Sequence, residues 1–113
     1  MNIQIFGTKK SFDTKKAERW FKERRIKYQY IDMAEKGLSK GEFESVCKAV
    51  GGIDELIDPN AKDKQLLALL QYSPAFQKVE KVLENQQVLR SPIVRNGRAA
   101  TVGYRPEVWE AWE

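Results

Sequence analysis

"NIQIFGTKKSFDTKKAERWFKERRIKYQYID", residues 2–32, decides the fold. Residues 2–6 alternate polar and apolar side chains, the period of a half-buried strand, and Gly7 interrupts them. From Asp13 to Arg25, Ala17, Trp20, Phe21 and Arg24 recur at helical spacing with charges opposite, which predicts an amphipathic helix. "KYQYID", residues 27–32, alternates again and is rich in aromatic and β-branched side chains, so it predicts a second strand. Strand, helix and strand within ~30 residues make a βαβ unit, whose crossover is almost always right-handed. The polar loop between the first strand and the helix gathers unpaired N–H groups and is the first place to look for a site.

Downstream, Ser39-Lys40-Gly41-Glu42 has the spacing of a capping box, in which the serine hydroxyl and the glutamate carboxylate each satisfy a backbone N–H of the other. Phe43, Val46, Cys47 and Val50 follow on one helical face, and Gly51 supplies the stop. "IDELIDPN" (53–60) predicts one short turn and "DKQLLALL" (63–70) a compact apolar helix. Ser73 is placed to cap a further helix, with Pro74 at its first position and Phe76, Val79, Val82 and Leu83 on its inner face. "SPIVRNGRAATVGY" (91–104) predicts two strands joined at Asn96-Gly97, a strong hairpin signal. Pro106 then opens a last helix carrying Val108, Trp109 and Trp112. The order is β-α-β, a helical segment, then β-β-α: a single α/β domain over 1–113, with core 1–34 and 88–113 and a helical insert 35–87. Without the insert, that order is the thioredoxin/glutaredoxin topology.

Composition removes several functions. Apolar residues come in clusters far shorter than the ~18 a membrane span requires. No basic-then-apolar leader precedes the first strand, so the expectation is a cytoplasmic protein with no membrane partner. One cysteine allows no internal disulfide, and the absence of histidine excludes a Ser–His triad and a His/Cys zinc site; no metal is expected. The net charge of +4 comes with a basic N-terminal third holding Lys9, Lys10, Lys15, Lys16, Lys22, Arg24, Arg25 and Lys27. No helix-turn-helix spacing or aromatic-basic strand motif accompanies it, so direct nucleic-acid binding is not expected. Cys47 belongs to a buried stripe and is assigned to packing. Ser11 can cap the helix that follows it, with Asp13 as its competitor.

"KKAERWFKERRIKYQYID" (15–32), "RSPIV" (90–94) and "VGYRPEVWEAW" (102–112) together resemble the ArsC/Spx family, arsenate-reductase-like proteins with a thioredoxin-type core and a helical insert. The resemblance implies that Ser11 stands where the family's nucleophilic cysteine belongs, and Thr14 where its redox regulators carry a second one. It aligns Arg90 and Arg105 with two of three oxyanion-binding arginines; near the third, "ELIDPNAKD" (55–63) offers Asp58, Pro59 and Asn60 instead. It also makes Pro92 a cis-proline beside the first loop. Arsenate reduction needs a thiolate that attacks and then exchanges with another thiol, and a serine hydroxyl can do neither. The leading expectation is therefore a non-catalytic binding or regulatory module with a residual oxyanion-type pocket built from Lys10, Ser11, Arg90 and Arg105 next to Pro92, with no cofactor. By analogy with the Spx branch its protein partner would be RNA polymerase, contacted near Gly51 and Gly52. The alternative is a glutathione-dependent reductase or transferase in which Ser11 orients an external thiol.

Overall fold

The computed structural model describes residues 1–113. β1 (Ile3–Gly7), α1 (Phe12–Glu23) and β2 (Tyr28–Asp32) form the βαβ unit, and β1 and β2 pair in parallel from Ile3–Tyr28 to Gly7–Asp32. β3 (Ile93–Asn96) joins β1 antiparallel, and β4 (Ala99–Val102) joins β3, giving the order β2-β1-β3-β4. α5 (Pro106–Ala111) closes the chain, with its proline in the first turn where no N–H is needed.

The two-residue period of the strands divides the core. Ile3, Ile5 and Val94 face α1 and α5, meeting Ala17, Trp20, Phe21 and Trp109. Phe6, Ile31 and Ile93 face the other way and meet Phe43, Val46, Leu56, Leu70, Val82 and Val88 of the insert. The insert consists of α2 (Lys40–Val50), α3 (Lys64–Gln71) and α4 (Ala75–Glu84), with 3₁₀ turns at Ile53–Glu55 and Gln86–Val88. It is thus the cover of the sheet's second face, and each large side chain it buries there contributes roughly 2 kcal/mol. On the first face Trp109 is fully buried; its Nε1–H donates to Thr101 Oγ1 at 2.8 Å, and its ring meets Trp20 edge-on at 5.4 Å.

The capping box forms as expected: Ser39 Oγ accepts from Glu42 N–H (3.2 Å) and Glu42 Oε1 from Ser39 N–H (2.9 Å). Gly51 ends α2 in the left-handed region at φ 97°. Four expectations need correction. Ser73 does not cap α4; Pro74 takes that position in an extended conformation, and Ser73 Oγ turns back to donate to the Leu69 carbonyl of α3 at 2.9 Å, which also accepts from Tyr72 N–H. Phe76 is exposed, on the rim of a shallow cavity that Gly51 and Gly52 also border. Cys47 borders the same cavity and is only half-buried. The hairpin loop is Gly97-Arg98, since Asn96 stays in β3 opposite Ala99; Gly97, at φ 60°, supplies the positive φ that the first loop position of a type II′ turn requires.

Candidate binding cleft at the first loop

β1 ends at Gly7, and the chain turns through Thr8–Lys10 into α1. Ser11, in extended conformation, is the N-cap: its Oγ accepts from Thr14 N–H at 3.2 Å. Asp13 sits in the first helical turn and complements the helix dipole. Thr14 is buried and points at the strand, where a Cβ on Gly7 would collide with its Cγ2. The absence of a side chain at Gly7 therefore lets α1 approach β1. It also keeps Thr14 out of the cleft.

The opposite wall comes from the insert's junction with the core. Asp58 N–H donates to Val88 O and Arg90 N–H to Leu56 O, both at 2.8 Å, around a bridge between Ile57 and Leu89. This short ladder sets Asp58 and Arg90 beside the first loop. The Ser91–Pro92 bond is cis, in agreement with the expectation, and Pro92 O accepts from Gly103 N–H at 2.8 Å, holding the segment before Arg105 close by.

These elements enclose an open cleft of about 440 Å³ lined by Ser11, Arg90, Ser91 and Arg105 together with Asp13, Glu55 and Asp58. Three of the four residues expected to form a pocket are thus brought together. Lys10 is not among them; with Lys9, Lys62, Asp32 and Asp63 it borders a neighbouring cavity of about 950 Å³ that shares Ser11 and Asp58 with the first. Glu55 and Ser91 were not legible as site residues, because nothing in their spacing distinguishes a cleft-facing side chain from any other loop residue.

The charge balance is mixed: two guanidinium groups face three carboxylates. Arg105 Nε donates to Glu107 Oε1 at 2.8 Å, and this bond holds the Glu107 carboxyl below its usual range. Arg90 has no ion-pair partner, so its guanidinium is the cation free to meet an incoming anion. No group of three or more His, Cys, Asp or Glu side chains converges in a way that could hold a metal ion. The single thiol lies elsewhere: Cys47 borders neither first-loop cavity, and burial, helped by the Glu44 charge, pushes its pKa up. A high-pKa thiol is a poor nucleophile at neutral pH.

A model of the ArsC family matches residues 6–112. The chain belongs to the ArsC family. Among curated relatives, the global transcriptional regulator Spx 2 of Oceanobacillus iheyensis is 30% identical over 109 residues, covering 95% of this chain and 80% of the regulator. Among solved structures, an ArsC-family-related protein from Bacteroides fragilis superposes with a TM-score of 0.85 at 19% identity, covering 100% of this chain and 98% of that one. An arsenate reductase from Vibrio cholerae does so at 0.82 and 18%, covering 96% and 94%. At those identities the two structures speak for the fold, which is the thioredoxin-like core with helical insert that the sequence implied. No helix of this ArsC-family chain is long and apolar enough to cross a membrane.

Proposed function

We propose that this ArsC-family protein is a non-redox binding or regulatory module whose first-loop cleft receives an anionic group of a partner. One observation carries the reading: Ser11, Arg90 and Arg105 line a single cleft, while the chain's only thiol is half-buried on another element. The start of α1 favours negative charge, and Arg90 can offer a charge-assisted fork to a carboxylate or phosphate. Asp13, Glu55 and Asp58 oppose a free oxyanion, so such a group binds weakly alone and better as part of a larger ligand. The likeness to Spx regulators supports a protein partner in transcription, with RNA polymerase as the partner the family resemblance indicates.

The mixed charge also favours a second reading. Glutathione carries two carboxylates and an ammonium group, a set that two arginines and three carboxylates can match. In that case the protein is a thiol-dependent reductase or transferase, with Ser11 orienting the external sulfur. Titrating the nitrogen-15-labelled protein with glutathione, phosphate, sulfate and arsenate separates the two. The binding-module reading expects weak, similar responses to the inorganic anions at residues 8–15 and no arsenate turnover with thiol coupling. Saturation by glutathione alone, accompanied by turnover, would transfer the assignment to the enzyme.

A further inference from the structure

The two outer strands of the sheet are finished differently. β4 lies along α2, whereas β2 has no element against its outer edge. Met33 N–H donates to Gly7 O at 2.9 Å. Because backbone groups alternate sides along a strand, Gln29 and Ile31 also address β1, while Tyr28, Tyr30 and Asp32 face outward. The Asp32 carbonyl is taken by the turn that follows, accepting from Lys36 N–H at 2.9 Å. The N–H and C=O groups of Tyr28 and Tyr30 meet no partner outside the β1 ladder. β2 contains no proline, and its register against β1 runs without a bulge, so its edge is an open template for another strand.

Beside that edge lies a groove of about 570 Å³ between β2 and the end of α1. Its charged lining is Lys22, Arg25 and Lys27 against one carboxylate, Glu18. Glu18 accepts from the Tyr28 hydroxyl at 2.9 Å, and none of the three cations has an ion-pair partner. Arg25 is itself unusual. α1 ends in a Schellman motif, with Ile26 N–H donating to Phe21 O and Arg25 N–H to Lys22 O, both at 3.0 Å. The position Arg25 fills, at φ 57°, is one where glycine avoids the steric strain of a side chain. A strained non-glycine residue that adds a cation to a groove is the kind of outlier that accompanies binding sites.

We infer that the free edge of β2, with the Lys22–Arg25–Lys27 cluster beside it, docks an extended acidic segment of a partner protein as a fifth strand. Charge selects this occupant. Three cations against one carboxylate in the groove match an acidic strand, and a nucleic acid would leave the strand's N–H and C=O groups unused. The groove lies at the N-terminal end of β2 and the C-terminal end of α1. The first-loop cleft lies at the opposite ends of β1 and α1, so this surface stands whether or not that cleft binds anything.

The probe is a synthetic peptide of alternating glutamate and valine, seven residues long, added to the labelled full-length protein at low ionic strength. Amide exchange at Tyr28 and Tyr30 should slow and their resonances shift, with Ser11 unmoved, and binding should weaken as salt shortens the Debye length. Arg25→Gly should weaken the peptide about fivefold, the worth of one exposed ion pair, while the thermal midpoint stays or rises because the backbone strain is relieved. A glutamate–glycine peptide of equal charge should bind less well, since glycine is a poor strand former. Equal binding of both peptides without protection at Tyr28 and Tyr30 would reduce the effect to ionic adsorption and overturn the inference. So would peptide shifts confined to the first loop, a concentration-dependent dimer that protects the same amides without peptide, or an Arg25→Gly variant that binds unchanged.

Discussion

Replacing Ser11 by alanine tests the local geometry on which the cleft rests. Ser11 Oγ accepts from Thr14 N–H at 3.2 Å, and alanine would leave that N–H at the helix start without its side-chain partner. Loss of a serine N-cap costs about 1 kcal/mol. For a domain of this size that corresponds to a fall in Tm of about 4 °C. Ser11→Asn keeps an acceptor in place without adding charge, so it should stay within roughly 0.5 kcal/mol of the parent. Ser11→Asp also keeps one, but puts a further carboxylate beside Asp13, Glu55 and Asp58. Any gain from the helix dipole is therefore offset by like-charge repulsion, and this variant should respond to salt more than the others. Urea unfolding followed by the fluorescence of the buried Trp20 and Trp109 provides the assay. A Ser11→Ala variant as stable as the parent, or alanine and asparagine equally damaging, would show that the Ser11 hydroxyl does not hold the start of α1.

Ser11→Cys should place a thiol at the same helix terminus with a pKa below the reference ~8.5, read from the pH dependence of its alkylation against a Cys47→Ala background; an ordinary value would mean the helix start does not act on position 11. Gly7→Ala should destabilise by about 1–3 kcal/mol through its collision with Thr14, and adding Thr14→Ala should restore part of that loss in a denaturation cycle. Burial alone would raise the Glu42 carboxyl, but hydrogen bonds from Ser39 and Gln4 and the charge of Arg95 outweigh it and hold the group below its usual range. Its contribution is therefore complete above the unfolded value near ~4.3 and disappears as pH falls through the lower folded value; Glu42→Gln should flatten that part of the stability–pH profile. Cys47, half-buried and with its pKa pushed up, should be alkylated more slowly in the native protein than after unfolding, and Cys47→Ala should leave binding at the first loop unchanged.

The parts of the fold that depend on local chemistry were legible in the sequence. Strand alternation in 2–6 and 27–32, the Ser39–Glu42 box and Gly51 each prescribe a backbone conformation through neighbours a few residues away, and each appears where the pattern put it. Ser73 and Phe76 depart from the pattern because their surroundings are set by what stands across from them: the Leu69 carbonyl at the end of α3, and an open cavity beyond α2. The hairpin shifted by one residue for a similar reason, since pairing of Asn96 with Ala99 decides where the strand ends. The cis Ser91–Pro92 bond was legible only through family resemblance, as nothing in the dipeptide itself demands it. The cleft shows the same division. Ser11, Arg90 and Arg105 could be named from motifs, whereas Glu55 and Ser91, and the separation of Lys10, follow from the ladder that joins residues 56–58 to 88–90.

We propose that Arg90, Arg105 and the start of α1 receive one anionic group, and phosphate titration of backbone amides at low ionic strength measures this. Opposing carboxylates should keep the affinity near millimolar, about 4 kcal/mol of binding free energy, with saturable shifts across residues 7–15. Arg90→Ala should weaken binding more than Arg105→Ala, because Arg105 is already engaged by Glu107 at 2.8 Å. Lys40→Ala, on the insert, should change nothing. Shifts that stay flat across the titration, or a response indifferent to Arg90→Ala, would contradict the claim.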